Sequence, residues 1–234
     1  MMKVLKKLSI LLALCIAAVL VLAACGPKGG GTTPTQKDEP QSEAQTEEIT
    51  TKAAEPADTG YPEATLAGDT YTNEAINLKM KVPSTWTLYT KDQLASEYNG
   101  SATEPEIGES FYEAYALVED AQFHENISII VQNASEHTDT INAMGIKSFT
   151  ELISEGIPEA LEQAGATNIK YSLVDIDFPM DDYATIQSTC SLQGTDIFQR
   201  QVVFLVGNYL YSITATSFDE AGVNEILGFF SRVK

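Results

Sequence analysis

Four aspartates, Asp175, Asp177, Asp181 and Asp182, crowd around Phe178-Pro179-Met180. Carboxylates this close could bind Ca²⁺, which takes about six to eight oxygen ligands, or work as an acid and base pair in glycoside hydrolysis. The EF-hand spacing, with its glycine and terminal glutamate, is absent. With 33 acidic residues in the chain, close pairs also arise by chance. A solvated acidic turn is the preferred reading. His124 and His137 stand 13 residues apart with no cysteine nearby, which matches neither the short spacings nor the helical i, i+4 pattern of zinc sites. Cys190, paired with a distant histidine, is a conceivable nucleophile. Strand alternation instead puts it on one face with Ala184, Ile186 and Leu192, where a thiol is an inert small hydrophobe. Hydrolase-elbow, phosphate-loop and dinucleotide fingerprints are all missing. No catalytic residue, cofactor or metal ligand is expected from these patterns. Trp86, Tyr89, Tyr98, Phe111, Tyr112 and Tyr115 cluster in one half of the chain, as interface anchors do when exposed. Alternation places Phe111 and Tyr115 on one side of a strand and Tyr112 on the other, which favours core packing for at least some.

One further cysteine carries a different chemistry. Met1 to Lys7 hold three lysines and no acid, and an uncharged apolar run from Leu8 to Ala24 follows. This is the charge and hydropathy order of an export signal, and the run is short for a membrane span of about 20 residues. No A-x-A cleavage pattern ends it. Leu22-Ala23-Ala24-Cys25 does, and it resembles a bacterial lipobox. That resemblance implies cleavage after Ala24 and a diacylglyceryl group, with acyl chains of the palmitate kind, on Cys25. Each buried CH₂ contributes about 0.8 kcal/mol, so two or more chains hold where one would exchange. The expectation is a lipid anchor at the extracytoplasmic face of the cell membrane, with an uncleaved signal anchor and simple secretion as alternatives. Cys15 leaves with the signal and Cys25 takes lipid. Cys190 then stands alone, and the folded part must be held by its core.

Loss of residues 1–24 removes three of 14 basic residues and no acid, leaving 11 against 33 and a net charge of −22. Phosphate binding needs clustered Lys and Arg, so nucleic acid is excluded as a partner. Docking on anionic lipid by charge is disfavoured for the same reason, and membrane contact falls to the acyl chains on Cys25.

The elements that must position any site begin late. Residues 25–65 form the lipidated cysteine plus a tether rich in Gly, Pro, Thr, Gln and Glu, too poor in apolar side chains to offset its ordering entropy. Some 40 such residues reach roughly 30 to 40 Å. Residues 66–234 read as a single α+β domain. Ile76, Leu78, Met80 and Val82 alternate as in a half-buried strand ended by Pro83, and 70–73 forms another. Thr90-Lys91-Asp92-Gln93 predicts a capping box and a short helix through Tyr98. Strands at 111–118 and 126–132 pair. A second capping box at Ser148 predicts a helix running to Gly165 and interrupted at Gly156 and Pro158. Strands near 168–177, 182–192, 195–206 and 209–216 predict an antiparallel meander with turns at Gly194 and Gly207. A third box, Ser217 to Glu220, predicts a final helix with Val223, Ile226, Leu227 and Phe230 on one stripe.

That order of elements, with Val82-Pro83-Ser84-Thr85-Trp86 closing the early strands and Tyr209-Leu210-Tyr211-Ser212-Ile213 in the last, resembles the PsbP/Mog1-like α-β-α sandwich over nearly all of residues 70–232. The resemblance implies an antiparallel sheet covered by helices and a non-catalytic binding or assembly module, its candidate partner an envelope protein. It carries over no catalytic residue. Two other readings stand beside it: an envelope-associated hydrolase using carboxylates, and a small solute-binding lipoprotein, for whose usual two-lobed clamp some 170 residues are few.

Overall fold

The computed structural model describes residues 60–118 and 124–233. The expected signal segment, Cys25 and most of the expected tether lie outside them.

A seven-stranded antiparallel sheet forms the centre. Its strands are β4 (Trp86–Leu88), β5 (Ser110–Val118), β6 (Asn126–Asn133), β7 (Thr167–Val174), β8 (Ala184–Leu192), β9 (Thr195–Val206) and β10 (Tyr209–Ser217). The spatial order is β4-β5-β6-β10-β9-β8-β7. The last four strands are the expected meander. The β8–β9 turn is two residues, Gln193 and Gly194, both at positive φ, as a type I′ turn requires. The β9–β10 turn needs positive φ only at Gly207.

Both faces of this sheet are covered, and its central strand β10 is buried along all nine residues. On one face lie α2 (Thr138–Met144), α3 (Ile146–Ser154) and α4 (Ile157–Gln163). Ile141, Ile146, Phe149 and Ile153 pack on Val203 and Leu210, while Ile157 and Leu161 pack on Ile186, Cys190 and Ile197. On the other face, Ile129, Val202, Phe204 and Ile213 meet α5 (Glu220–Leu227) and a small antiparallel sheet. That sheet runs β1 (Thr65–Ala67), β2 (Thr70–Asn73), β3 (Leu78–Lys81), β11 (Phe230–Arg232). Tyr71, Leu78 and Met80 fill it with essentially no exposure. The architecture is α+β, an antiparallel sheet covered by three helices on one face and by α5 with the small sheet on the other.

Several boundaries differ from the sequence expectation. The folded unit starts before residue 66: Ala64 is buried, and Tyr61 packs on Phe111 and Tyr209 at 5.9 and 5.4 Å. Ser148 is not a cap. Gly145, at φ 78°, ends α2 and caps α3 three residues before it, and α2 itself is a helix that the sequence pattern does not predict. The break at Gly156 and Pro158 is real, and α4 stops in a Schellman motif, with Gly165 N–H on Glu162 O and Ala166 N–H on Leu161 O, both 2.9 Å. The cap of α5 is Asp219, whose Oδ1 accepts from Gly222 N at 2.8 Å; Ser217 belongs to β10. Phe230 is buried by strand pairing with Met80, not by the helix stripe, because Gly228 ends the helix first.

Candidate functional site: a carboxyl set into a β-bulge

β5 reads Ser-Phe-Tyr-Glu-Ala-Tyr-Ala-Leu-Val, one acid in an otherwise apolar and aromatic strand. Its pairing with β6 slips there. Tyr112 stands opposite Ile130 and Ala114 opposite Ile129, so Glu113 is the extra residue of a β-bulge. A bulge re-aims one side chain and changes the phase of those that follow. The expected grouping of Phe111 with Tyr115 is therefore overturned. Tyr112 and Tyr115 come together, rings 6.5 Å apart, with Tyr98 stacked on Tyr112 at 4.5 Å and Tyr89 edge-on to Tyr115 at 5.2 Å. Phe111 goes to the opposite face, against Tyr61.

Glu113 is 6% exposed and points into the small-sheet side. Its Oε1 accepts from Tyr61 Oη at 2.7 Å and Asn73 Nδ2 at 3.3 Å, and its Oε2 from Tyr71 Oη at 2.5 Å. Asn73 is itself fixed, donating to Pro62 O at 2.6 Å. Burial pushes the Glu113 carboxyl up to about 7, opposed by the donors Tyr71, Tyr61 and Asn73 and by the charge of Lys91. Burial and the neighbouring Glu113 charge together raise Tyr61 and Tyr71 well above the usual phenol range.

The other wall comes from α1 (Lys91–Leu94) and the π-helical turn Ala95–Asn99. Here the predicted capping box is present: Thr90 Oγ1 accepts from Gln93 N, and Gln93 Oε1 accepts from Thr90 N at 2.9 Å. Asn99 at the end of the π-turn pairs with the Tyr112 backbone, donating to its carbonyl and accepting from its N–H, each at 2.8 Å. The π-turn is thereby clamped to the bulged strand. Between these walls lies a cavity of about 190 Å³, lined by Tyr61, Ala64, Leu94, Ala102, Phe111 and Glu113 among others. Lys91 also lines it, held by Glu63 Oε1 at 2.5 Å.

The residues singled out from sequence fall elsewhere. Asp175, Asp177, Asp181 and Asp182 are exposed; Asp175 pairs with Lys147 at 3.3 Å and Asp181 with Arg232. No group of three or more His, Cys, Asp or Glu side chains among the described residues could hold a metal ion. His124 Nδ1 is 2.7 Å from Val118 O, and His137 stands at the start of α2. Cys190 is 5% exposed beneath α4, its thiol pushed up to about 11 by burial and by Asp196, the reverse of an activated nucleophile.

No family model and no curated protein matches the chain. Among solved structures it is similar in fold to the cyanobacterial PsbP protein (CyanoP) of Synechocystis sp. PCC 6803, at 11% identity and a TM-score of 0.45 over 76% of this chain and 98% of that one. It is also similar to LpqN of Mycobacterium tuberculosis, described as involved in cell envelope biogenesis, at 11% identity and a TM-score of 0.36 over 70% of this chain and 84% of that one. No helix among the described residues is long and apolar enough to cross a membrane.

Proposed function

We propose that the chain is an extracytoplasmic lipoprotein, held at the membrane by acyl chains on Cys25, whose folded part is a non-catalytic binding module. The lipobox-like Leu22-Ala23-Ala24-Cys25 supports the anchor. The observation that carries the binding function is the cavity at Glu113, built by three elements converging on one bulge. Its walls are mainly apolar, and of the four charged residues on them only Glu113 is buried, the composition of a small-molecule site. Both Glu113 oxygens are already engaged by donors, which suits a fixed recognition group better than a mobile proton carrier.

Saturation-transfer NMR of the full chain in micelles against small envelope-derived solutes tests the binding function. Ala102, exposed at the cavity wall, provides the control. Binding solutes lose their signal in Ala102→Trp while the fold is kept. Absence of any binder, or binding indifferent to that plug, refutes the reading.

One observation favours a second reading, an envelope hydrolase with Glu113 as general acid: a carboxyl raised to about 7 in a cavity is matched to proton transfer near neutral pH. Hydrolysis abolished by Glu113→Gln, with solute binding retained, would establish it. Hydrolytic activity unchanged in that variant would dismiss it.

A further inference from the structure

Glu113 is a buried carboxyl whose three direct partners, Tyr61, Tyr71 and Asn73, are all neutral. A buried anion with no charged hydrogen-bond partner, and only the smaller effect of Lys91 to offset it, is costly, and a cation that enters beside it recovers part of that cost. The one lysine at the cavity, Lys91, is held at 2.5 Å by Glu63. The lining as a whole carries three carboxylates, Glu63, Asp92 and Glu113, against that single ammonium. An anionic ligand meets repulsion there, and a neutral one leaves Glu113 uncompensated. The walls add a second selectivity. Tyr61 and Phe111, edge to face at 5.9 Å, offer ring surface of the kind that holds alkylated ammonium groups, and Ala64, Leu94 and Ala102 offer apolar surface for its carbons. At about 190 Å³ the space is below the usual range of roughly 300–1,000 Å³ for ligand pockets, so it suits a head group and not an extended molecule.

Building on the binding function above, we propose that this cavity recognises a small organic cation, an alkyl- or methylammonium group, seated against Tyr61 and Phe111 with its charge on Glu113. The probe is choline, compared with its neutral isostere 3,3-dimethylbutanol and with sodium chloride at matched ionic strength. The full chain in micelles is titrated while the amide shifts of Phe111, Tyr112 and Glu113 are followed by NMR. Choline is expected to give saturable shifts that salt does not. The isostere should bind about tenfold or more weakly, and Glu113→Gln should weaken choline by a similar factor. Phe111→Leu, which keeps an apolar wall but removes the ring, should weaken choline by about threefold and leave the isostere unchanged. It serves as the test should Glu113→Gln fail to fold. If the isostere binds as well as choline and neither substitution discriminates between them, cation recognition is wrong and the binding module stands. If neither compound binds, cation recognition fails; binding-module function falls with it only if the solute screen is also negative.

Discussion

Glu113 makes a prediction whose sign follows from its environment. Its carboxyl is raised from 4.5 to about 7, first by burial, with the phenols and Asn73 pulling it partly back. The folded chain therefore binds more protons than the unfolded chain between those values, and stability from this group falls as pH rises through that window. The loss is about 3 kcal/mol by pH 7.5, on the order expected for a carboxyl raised from 4.5 to about 7. Urea unfolding at pH 4.5, 6 and 7.5 should show Glu113→Gln gaining on the wild type across the series. Parallel curves would mean that the group is solvated. Cys190 makes the opposite kind of prediction, inertness: a thiol reagent should modify it only on the timescale of unfolding, and fast labelling of the native chain would place it wrongly. The two residues also differ in how visible they were. Plain alternation put Cys190 with Ala184, Ile186 and Leu192, and there it is. Glu113 could not be found that way, because a bulge has no obligatory residue and strict alternation predicts the wrong partners for everything around it. The available cue was chemical: a single acid amid Phe111, Tyr112, Ala114 and Tyr115.

At the scale of elements, α5 shows what capping patterns do and do not determine. Ser217 to Glu220 has the spacing of a capping box, but β10 pairs with β9 through Ser217 itself, which takes that residue for the sheet and moves the cap to Asp219. Asp219→Ala should cost about 1 kcal/mol. Gly222, in the first turn of α5, lies so close to β10 that a Cβ there would overlap the Ser217 hydroxyl and come within 2.9 Å of Ser217 Cβ and 3.0 Å of Glu125 Oε1. Gly222→Ala should therefore destabilise by about 1–3 kcal/mol through overpacking, although alanine is the better helix former. Thermal melts decide, and a stabilised Gly222→Ala would show that α5 does not pack as described. The Thr90 box formed as read because no strand competes for it. What went unseen, α2 and the early start of α3, turns on Gly145, whose positive φ lets two helices abut without a linker. That junction is fixed by tertiary packing of Ile141, Ile146 and Phe149 on Val203 and Leu210, which local propensity does not encode.

For the whole molecule, the layers were legible because periodicity separated four long strands from the amphipathic helices around them. The second, smaller sheet was less so, since β1 and β11 are three residues each and form only by pairing with β2 and β3. It is this sheet that brings Tyr71 and Asn73 to Glu113, and the entering segment that brings Tyr61. The site thus sits at the N-terminal edge of the described residues. In the proposed arrangement, the chain that follows the lipidated Cys25 supplies Tyr61 to one wall of the cavity. Membrane attachment is the claim on which the location of that cavity depends. Its most direct test is the intact mass of the N-terminal peptide from membrane and soluble fractions, in wild type and Cys25→Ala. The account predicts a peptide beginning at Cys25 and carrying a diacylglyceryl group in the membrane fraction, lost in the variant. An unmodified or uncleaved N-terminus, with the same distribution in both chains, would contradict it.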